Sequence, residues 1–330
     1  MLFCGCAQEK AEVQPLKVSG TQLCFADGTP ATFRGVSFGW HNLWPRFYNK
    51  GAVKTLKDTW GVPIVRAAIG ADNHANGDNP GCPEGYMTEP DFALDKLFAV
   101  IDGAIENGCY VIVDWHSHVL HQEAAEEFFT KVVTKYKGVP NVVYELFNEP
   151  VCQSFEDSRS YADLGNPDAM AEYWARLKAY AEDLIGIITE IDGGKPVILM
   201  GCPSWDQRID LPAGNPIEYE NLMYTVHFYA ATHKQELRDA SSAAIAAGIP
   251  VFISECAGCT ASGDGEIDLA EWEAWSCWAA RNGVTMLTWS ISDKNETCSM
   301  LTPEATSEGP WAEEVTKPWG KIVKNWLTTE

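Results

Sequence analysis

The chain has 330 residues, enough for one barrel-sized domain or two ordinary ones. With 46% hydrophobic and 21% charged residues, its composition is that of a folded globular protein and excludes a disordered one. Its 46 acidic and 24 basic residues leave a formal charge of −22, a field that opposes nucleic-acid backbones and anionic membranes and suits a neutral or cationic partner.

In chain order, the opening MLFCGCAQEKAEVQP lacks the basic region and long apolar stretch of a full export signal. Its short apolar run ending in Gly5-Cys6 resembles the tail of a bacterial lipoprotein signal, with Cys6 lipidated; the competing reading is an uninformative leader. Residues 1–15 are therefore set apart as a leader, expected to be disordered, and residues 16–330 as one domain. No later run reaches about 18 consecutive apolar residues, so no transmembrane helix is expected.

Next, TQLCFADGTPATFRGVSF (21–38) reads as a hairpin turned at Asp27-Gly28 and feeding the first main strand, with the barrel bottom as its expected place. Eight short apolar, β-branched runs follow: TFRGVSF (32–38), VPIVRAA (62–68), CYVIVDW (109–115), NVVYELF (141–147), KPVILMG (195–201), NLMYTVHFY (221–229), IPVFISE (249–255) and GVTMLTWS (283–290). Their nearly continuous hydrophobicity is that of strands covered on both faces. Helix-like segments with apolar stripes lie between them, at 52–60, 91–108, 121–138, 169–192, 236–248 and 269–283, several stopping at a glycine. Eight βα units over one domain predict an α/β fold, a closed (β/α)8 barrel rather than an open doubly wound sheet. No glycine-rich phosphate loop follows the first strand, and no linker or internal repeat marks a second domain.

The eleven cysteines are scattered without a disulfide-framework spacing. Cys256 and Cys259 form a CxxC with no second pair nearby, so buried thiols with one or two bridges are expected rather than a metal or redox site. The 13 Trp, 11 Tyr and 13 Phe exceed what the strand patterns absorb, and the remainder suits flat apolar faces such as sugar rings.

In such a barrel the C-terminal strand ends build the active site. Those ends carry Trp40, His41 and Trp44 (strand one), Arg66 (two), Trp115, His116 and His118 (three), Asn148-Glu149 (four), Trp205 (after five), His227 and Tyr229 (six), Glu255 (seven) and Trp289 (eight). Taken singly each has a bland explanation: a Glu before Pro caps or turns, an Arg neutralises a core carboxylate, a His is a satisfied polar group, a Trp is core. Convergence from all eight strands is a site. Glu149 and Glu255 form the paired carboxylates that glycosidic cleavage needs, one protonated to expel the leaving oxygen and one ionised to attack or activate water. Arg66 would keep Glu255 ionised, Tyr229 would donate to it, and Asn148 would hold a sugar hydroxyl.

VVYELFNEP and VFISECAG, with VIVDWHSH and TVHFYA, resemble the bacterial endoglucanases of glycoside hydrolase family 5, clan A, over roughly residues 16–328. The resemblance implies a retaining endo-β-1,4-glucanase with Glu149 as acid/base and Glu255 as nucleophile. It implies support from Arg66, His116, Asn148, His227 and Tyr229, and substrate binding by His41, Trp44, Trp205, Trp289, Lys294 and Glu296. Cys256 directly after the nucleophile corresponds to no firm expectation. No cofactor or metal is called for, since the carboxylates supply acid and nucleophile. The expected partner is a β-glucan polysaccharide or oligosaccharide, met by a monomeric bacterial enzyme that is extracellular, cell-surface or periplasmic. Three alternatives stay open: the same mechanism on mannan, xyloglucan or xylan; a catalytically idle carbohydrate-binding protein; and a metal-dependent barrel hydrolase, for which His116 and His118 lack a matching carboxylate set.

Overall fold

The structure is a computed structural model and describes residues 13–72, 82–151 and 166–329. The Cys6 anchor lies outside the described residues. Two strands, β1 (Leu16–Ser19) and β2 (Gln22–Phe25), pair antiparallel. The remaining strands are β3 (Arg34–Phe38), β4 (Ile64–Gly70), β5 (Tyr110–His116), β6 (Val142–Glu145), β7 (Ile198–Met200), β8 (Leu222–Thr225), β9 (Phe228–Tyr229), β10 (Val251–Ala257) and β11 (Met286–Ile291). Their parallel order β11-β3-β4-β5-β6-β7-β8-β10 closes through β10–β11, giving an eight-stranded barrel; β9 continues β8 along the edge of β10. The expected (β/α)8 barrel is the fold.

Helices at Lys50–Trp60, Pro90–Asn107, Gln122–Lys135, Pro167–Asp192, Gln235–Ala246 and Leu269–Asn282 cover the sheet. Local chemistry sets their ends. Asn49 accepts the Ala52 amide at 2.8 Å to cap the first, and Gly61 ends it at φ 73°, a left-handed conformation that costs glycine little. A further helix, Pro318–Thr328, had no counterpart in the sequence reading. It matters to the site, because Trp319 Nε1 donates to the Trp289 carbonyl at 2.6 Å.

The hairpin differs in detail from the expectation. It turns at Gly20-Thr21, and Asp27-Gly28 instead turns the chain into a single bridge, Cys24 to Pro30. Gly20 supplies the positive φ of 61° that the two-residue turn needs. Leu16, Val18, Leu23 and Phe25 pack against Ile64, Tyr110, Val143, Val197 and Phe252 near the strand starts, so the hairpin caps the barrel bottom. Residues 13–15 join this contact, and Tyr110 donates its hydroxyl to the Gln14 carbonyl at 2.6 Å.

Inside the barrel the two-residue period of each strand stacks one layer on another. Ile64, Ile112, Val143, Phe252 and Leu287 form an apolar floor. Two residues further along the same strands stand Arg66, Asp114, Glu145, Ser254 and Trp289, so the layer above the floor is polar. The alternate residues, such as Val65, Val113, Tyr144 and Ile253, join the large core shared with the helices. The eight described cysteines are free thiols, buried except Cys82 and Cys277.

Candidate active site

Arg66 organises the polar layer. Fully buried, it donates Nε–H to Glu145 Oε2 at 2.6 Å, Nη1–H to Glu255 Oε2 at 3.0 Å and Nη2–H to Asn148 Oδ1 at 2.7 Å, with Asp114 Oδ2 at 2.9 Å. Three carboxylates therefore face one guanidinium. Burial pushes Asp114 up to about 7 despite Arg66, and raises Glu145 as well. Burial opposes the charge on Arg66, yet the carboxylates hold its pKa above the ordinary value. Asp114 also pairs with His116 Nδ1 at 2.6 Å, and burial with the nearby Arg66 charge keeps His116 neutral, well below its usual range.

Glu255 stands near the end of β10, where strict alternation from Val251 and Ile253 would turn it toward the helices. The register between β10 and β11 shifts between Ile253 and Cys256, and such an irregularity re-aims a side chain. Glu255 faces the cleft, accepting from Arg66 and from the Tyr229 hydroxyl at 2.7 Å. Its neighbour Cys256 turns away and donates its thiol to the Leu287 carbonyl at 3.2 Å.

Glu149 lies just beyond β6, with its amide donating to the Ser117 carbonyl at 3.2 Å. Two imidazoles face its carboxylate: His118 Nε2 at 3.1 Å and His227 Nδ1 at 2.9 Å. Burial opposes ionisation, but these hydrogen bonds and charges prevail and hold Glu149 well below the carboxylate range. In return His227, against burial, is pushed up to about 9 by the Asp206 and Glu149 carboxylates, and His118 is raised. These shifts favour a proton on the imidazoles over one on Glu149. Ligand atoms of Glu149, His227 and Glu255 all lie within 4.8 Å of one another, the one such group of three among the described residues with metal-like spacing. Both ring nitrogens of His227 are already hydrogen-bonded, to Glu149 and to Ser254 Oγ at 2.8 Å, so the set reads as a proton network.

These carboxylates open into a cleft of about 450 Å³ lined by Trp40, Trp44, His116, His118, Trp289, Lys294, Glu296 and Cys298. Trp289 stacks on His116 with ring centroids 5.4 Å apart and planes 8° from parallel. Lys294 Nζ pairs with Glu296 Oε2 at 2.6 Å. Two further hollows share lining residues with this one and none with each other. Trp44, Arg46, Asp293 and Asn295 line the first, and Trp205, Gln207 and His233 the second, beside Glu149. The result is a long open groove with the carboxylates at its centre.

Most of the residues singled out from the sequence line this groove or bond directly to those that do, and Asn148 is one step removed through Arg66. Trp115 is fully buried against Tyr86 and Phe128 in the core, away from the groove. The other exception is His41. It is completely buried beneath the rim, its Nδ1 accepts the Gly70 amide at 3.0 Å, and burial drives its pKa down to about 3. On that loop Trp40 and Trp44 line the groove instead. Asp114, Glu145, Asp206 and Ser254 were not assigned to the site from sequence, and His118, gathered at a strand end, was given no role there. Asp114 and Glu145 left a signal, each being a charge inside a strand that is otherwise apolar. Trp40, like His118, was already visible at a strand end.

The pattern described as "Cellulase (glycosyl hydrolase family 5)" matches residues 24–295. Endoglucanase Z of Dickeya dadantii is 32% identical over 326 residues, covering 96% of this chain and 70% of its own length. An endoglucanase of Clostridium saccharobutylicum is 33% identical over 315 residues, covering 94% and 64%. The chain thus spans roughly two thirds of these curated relatives. A solved structure from Cytophaga hutchinsonii superposes with a TM-score of 0.82 at 34% identity, covering 95% of this chain and 94% of that one. The catalytic domain of Thermobifida fusca endoglucanase Cel5A gives 0.81 at 27% identity, covering 96% and 97%; a Glu-to-Gln variant of that domain has been solved in complex with cellotetraose. With a family match across most of its length and relatives above 30% identity, this chain belongs to glycoside hydrolase family 5.

Proposed function

We propose that this protein is a retaining endo-β-1,4-glucanase acting on cellulose and mixed-linkage β-glucan, with Glu255 as nucleophile and Glu149 as acid/base. The observation that carries the reading is the pairing of these two carboxyl groups: oxygens of each come within 4.8 Å, and of the two, Glu255 is the one held by Arg66 and Tyr229 and Glu149 the one held by two imidazoles. Close carboxyls leave no room for a water between nucleophile and sugar, which is the spacing of the retaining mechanism. The environments also divide the labour, since a guanidinium favours the ionised attacker and imidazoles can hand over a proton.

Glu255 attacks the anomeric carbon as Glu149 passes a proton to the glycosidic oxygen, and the bond to the leaving sugar breaks. Glu149 then takes a proton from water, which cleaves the glycosyl ester with the anomeric configuration retained. Asn148 accepts from Arg66 through Oδ1 and keeps its buried Nδ2 donors for the sugar 2-hydroxyl. Trp44, Trp205 and Trp289 stack on successive sugar faces, and Lys294 and Glu296 bind hydroxyls. The open groove suits attack at internal bonds. A polymeric substrate places the enzyme outside the cytoplasm, as a monomer anchored through Cys6 or released. Among the described residues no helix is long and apolar enough to cross a membrane.

The test is reducing-sugar release from carboxymethylcellulose, mixed-linkage β-glucan, xyloglucan, glucomannan, mannan and xylan. Activity concentrated on the first two supports the reading. Preference for mannan, xyloglucan or xylan keeps the chemistry and changes the substrate, and silence on all six overturns it in favour of a binding protein.

A further inference from the structure

The turn after β7 joins two parts of the groove that chemistry keeps separate. Ser204, Trp205 and Asp206 are consecutive non-glycine residues in the left-handed region, at φ 64°, 52° and 60°. Trp205 points into the hollow beside Glu149. Asp206, the next residue, points the other way and is completely buried. Its Oδ1 accepts the Cys202 amide at 2.6 Å, and its Oδ2 accepts the Thr225 hydroxyl at 2.5 Å and faces His227 Nε2 at 3.2 Å. The second neighbour of Nε2, Ser254 Oγ at 2.8 Å, donates its own hydrogen to Glu145 Oε1 at 2.5 Å, so it too is an acceptor toward the ring. Both groups facing Nε2 therefore require a hydrogen there. The opposite nitrogen, Nδ1, is left to share one proton with Glu149 Oε1 across 2.9 Å.

We propose that Asp206 is a positioning residue for the acid step: it fixes hydrogen on His227 Nε2, so that Nδ1 and Glu149 together hold the proton delivered to the leaving oxygen. The inference rests on the reading of Glu149 as acid/base. No proton is gained or lost in the relay. A proton on Nδ1 moves to Glu149 and on to the leaving oxygen, and water returns one to the pair when the glycosyl ester is cleaved. Because Asp206 is joined by one peptide bond to Trp205, the residue that arranges the proton is also tethered to the surface that receives the leaving sugar.

Asp206→Asn tests this with a shape-conserving change. The Cys202 amide needs an oxygen, so the new NH2 falls at the Oδ2 position and donates toward Nε2. Hydrogen is then driven to Nδ1, which donates to Glu149 and leaves no proton to deliver. The expected result is a fall in kcat/KM on cellotetraose of roughly 10- to 100-fold, within the range of lost general-acid assistance. On 2,4-dinitrophenyl cellobioside, whose leaving group departs without a proton, kcat/KM should change by no more than about threefold. Burial raises Asp206 well above the usual carboxylate range, while His227 and the Thr225 hydroxyl favour its ionised form. The alkaline limb of the cellotetraose profile should also move to lower pH, because that carboxylate no longer favours the imidazolium. The other groups facing His227, which are Glu149, Glu145 beyond Ser254, Glu255, Asp114 and His233, are unchanged by the substitution.

Equal falls on both substrates, or no fall on cellotetraose, would overturn the proposal, since a merely structural role lowers both together. Should Asp206→Asn fail to fold, Asp206→Ser keeps an acceptor for the Cys202 amide and goes through the same two assays. Glu149→Ala separates the two layers of argument. If it shows no difference between the substrates, the acid/base reading fails; if it shows the split and the Asp206 variants do not, only the role of Asp206 fails.

Discussion

Arg66 donates Nε–H to Glu145 Oε2 at 2.6 Å, with both side chains at 0% exposure. Glu145 does not line the groove, yet it holds the guanidinium whose other end reaches Glu255. Removing one partner of a buried ion pair strands the other in low dielectric. Glu145→Ala should therefore cost about 3–5 kcal/mol of stability, read as a lower urea midpoint at unchanged slope, with activity falling as Arg66 loses its aim at Glu255. A variant as stable and active as the parent would show that Arg66 is held otherwise.

Stability should fall as pH rises from about 6 to above 9. His227 is pushed up to about 9 from an ordinary value of 6.5. Between those values the folded protein binds a proton that the unfolded chain does not, so this contribution is complete below 6.5 and lost as pH climbs through 9. Asp114, pushed up to about 7, acts in the same direction in a lower window, between 3.8 and 7. Denaturant unfolding of the parent and of His227→Gln at pH 6.5 and 9.5 measures the difference. The variant should lose less stability over that interval than the parent.

A cellotrioside bearing fluorine at C2 and a dinitrophenyl leaving group should trap the covalent intermediate. Mass spectrometry of the digest should then find the added glycosyl mass on Glu255 and none on Glu149. Label on Glu149 would exchange the two roles. No label, together with inverted product configuration by NMR, would reject the retaining mechanism.

Trp44 and Trp205 line hollows on either side of the central carboxylates. Removing either ring should raise KM on cellopentaose by roughly 2- to 10-fold, matching about 0.5–1.5 kcal/mol for an aromatic contact. The two variants should shift the cleavage pattern of end-labelled cellopentaose in opposite directions, because each weakens one side of the scissile bond. Identical shifts would place both rings on the same side.

Much of this site was legible in the chain because barrel topology converts order into place. A charged or aromatic residue at the end of an apolar strand can only emerge at one rim, so Glu149, Tyr229, Glu255 and Trp289 could be gathered without coordinates. His41 was misplaced for a related reason. Three polar or aromatic residues follow β3 closely, and spacing does not say which of Trp40, His41 or Trp44 turns inward; His41 goes under the rim to accept the Gly70 amide. The C-terminal helix left its own signal in the chain, Pro318 in its first turn followed by Trp319, Val323 and Trp326 at helical spacing.

By itself the sequence determined the eight strands, their order and the paired carboxylates at two strand ends, since hydrophobic runs of strand length fold the same way wherever both faces are covered. Tertiary structure alone decided how the inner polar layer is wired. Arg66 meets Glu145 and Glu255 across the barrel, and Asp206 reaches His227 from a different loop. These contacts join residues 21 to 189 positions apart, and hydrogen bonds act over about 3 Å with strict direction. No pattern along the chain encodes a distance of that kind; only closure of the barrel brings the partners within reach.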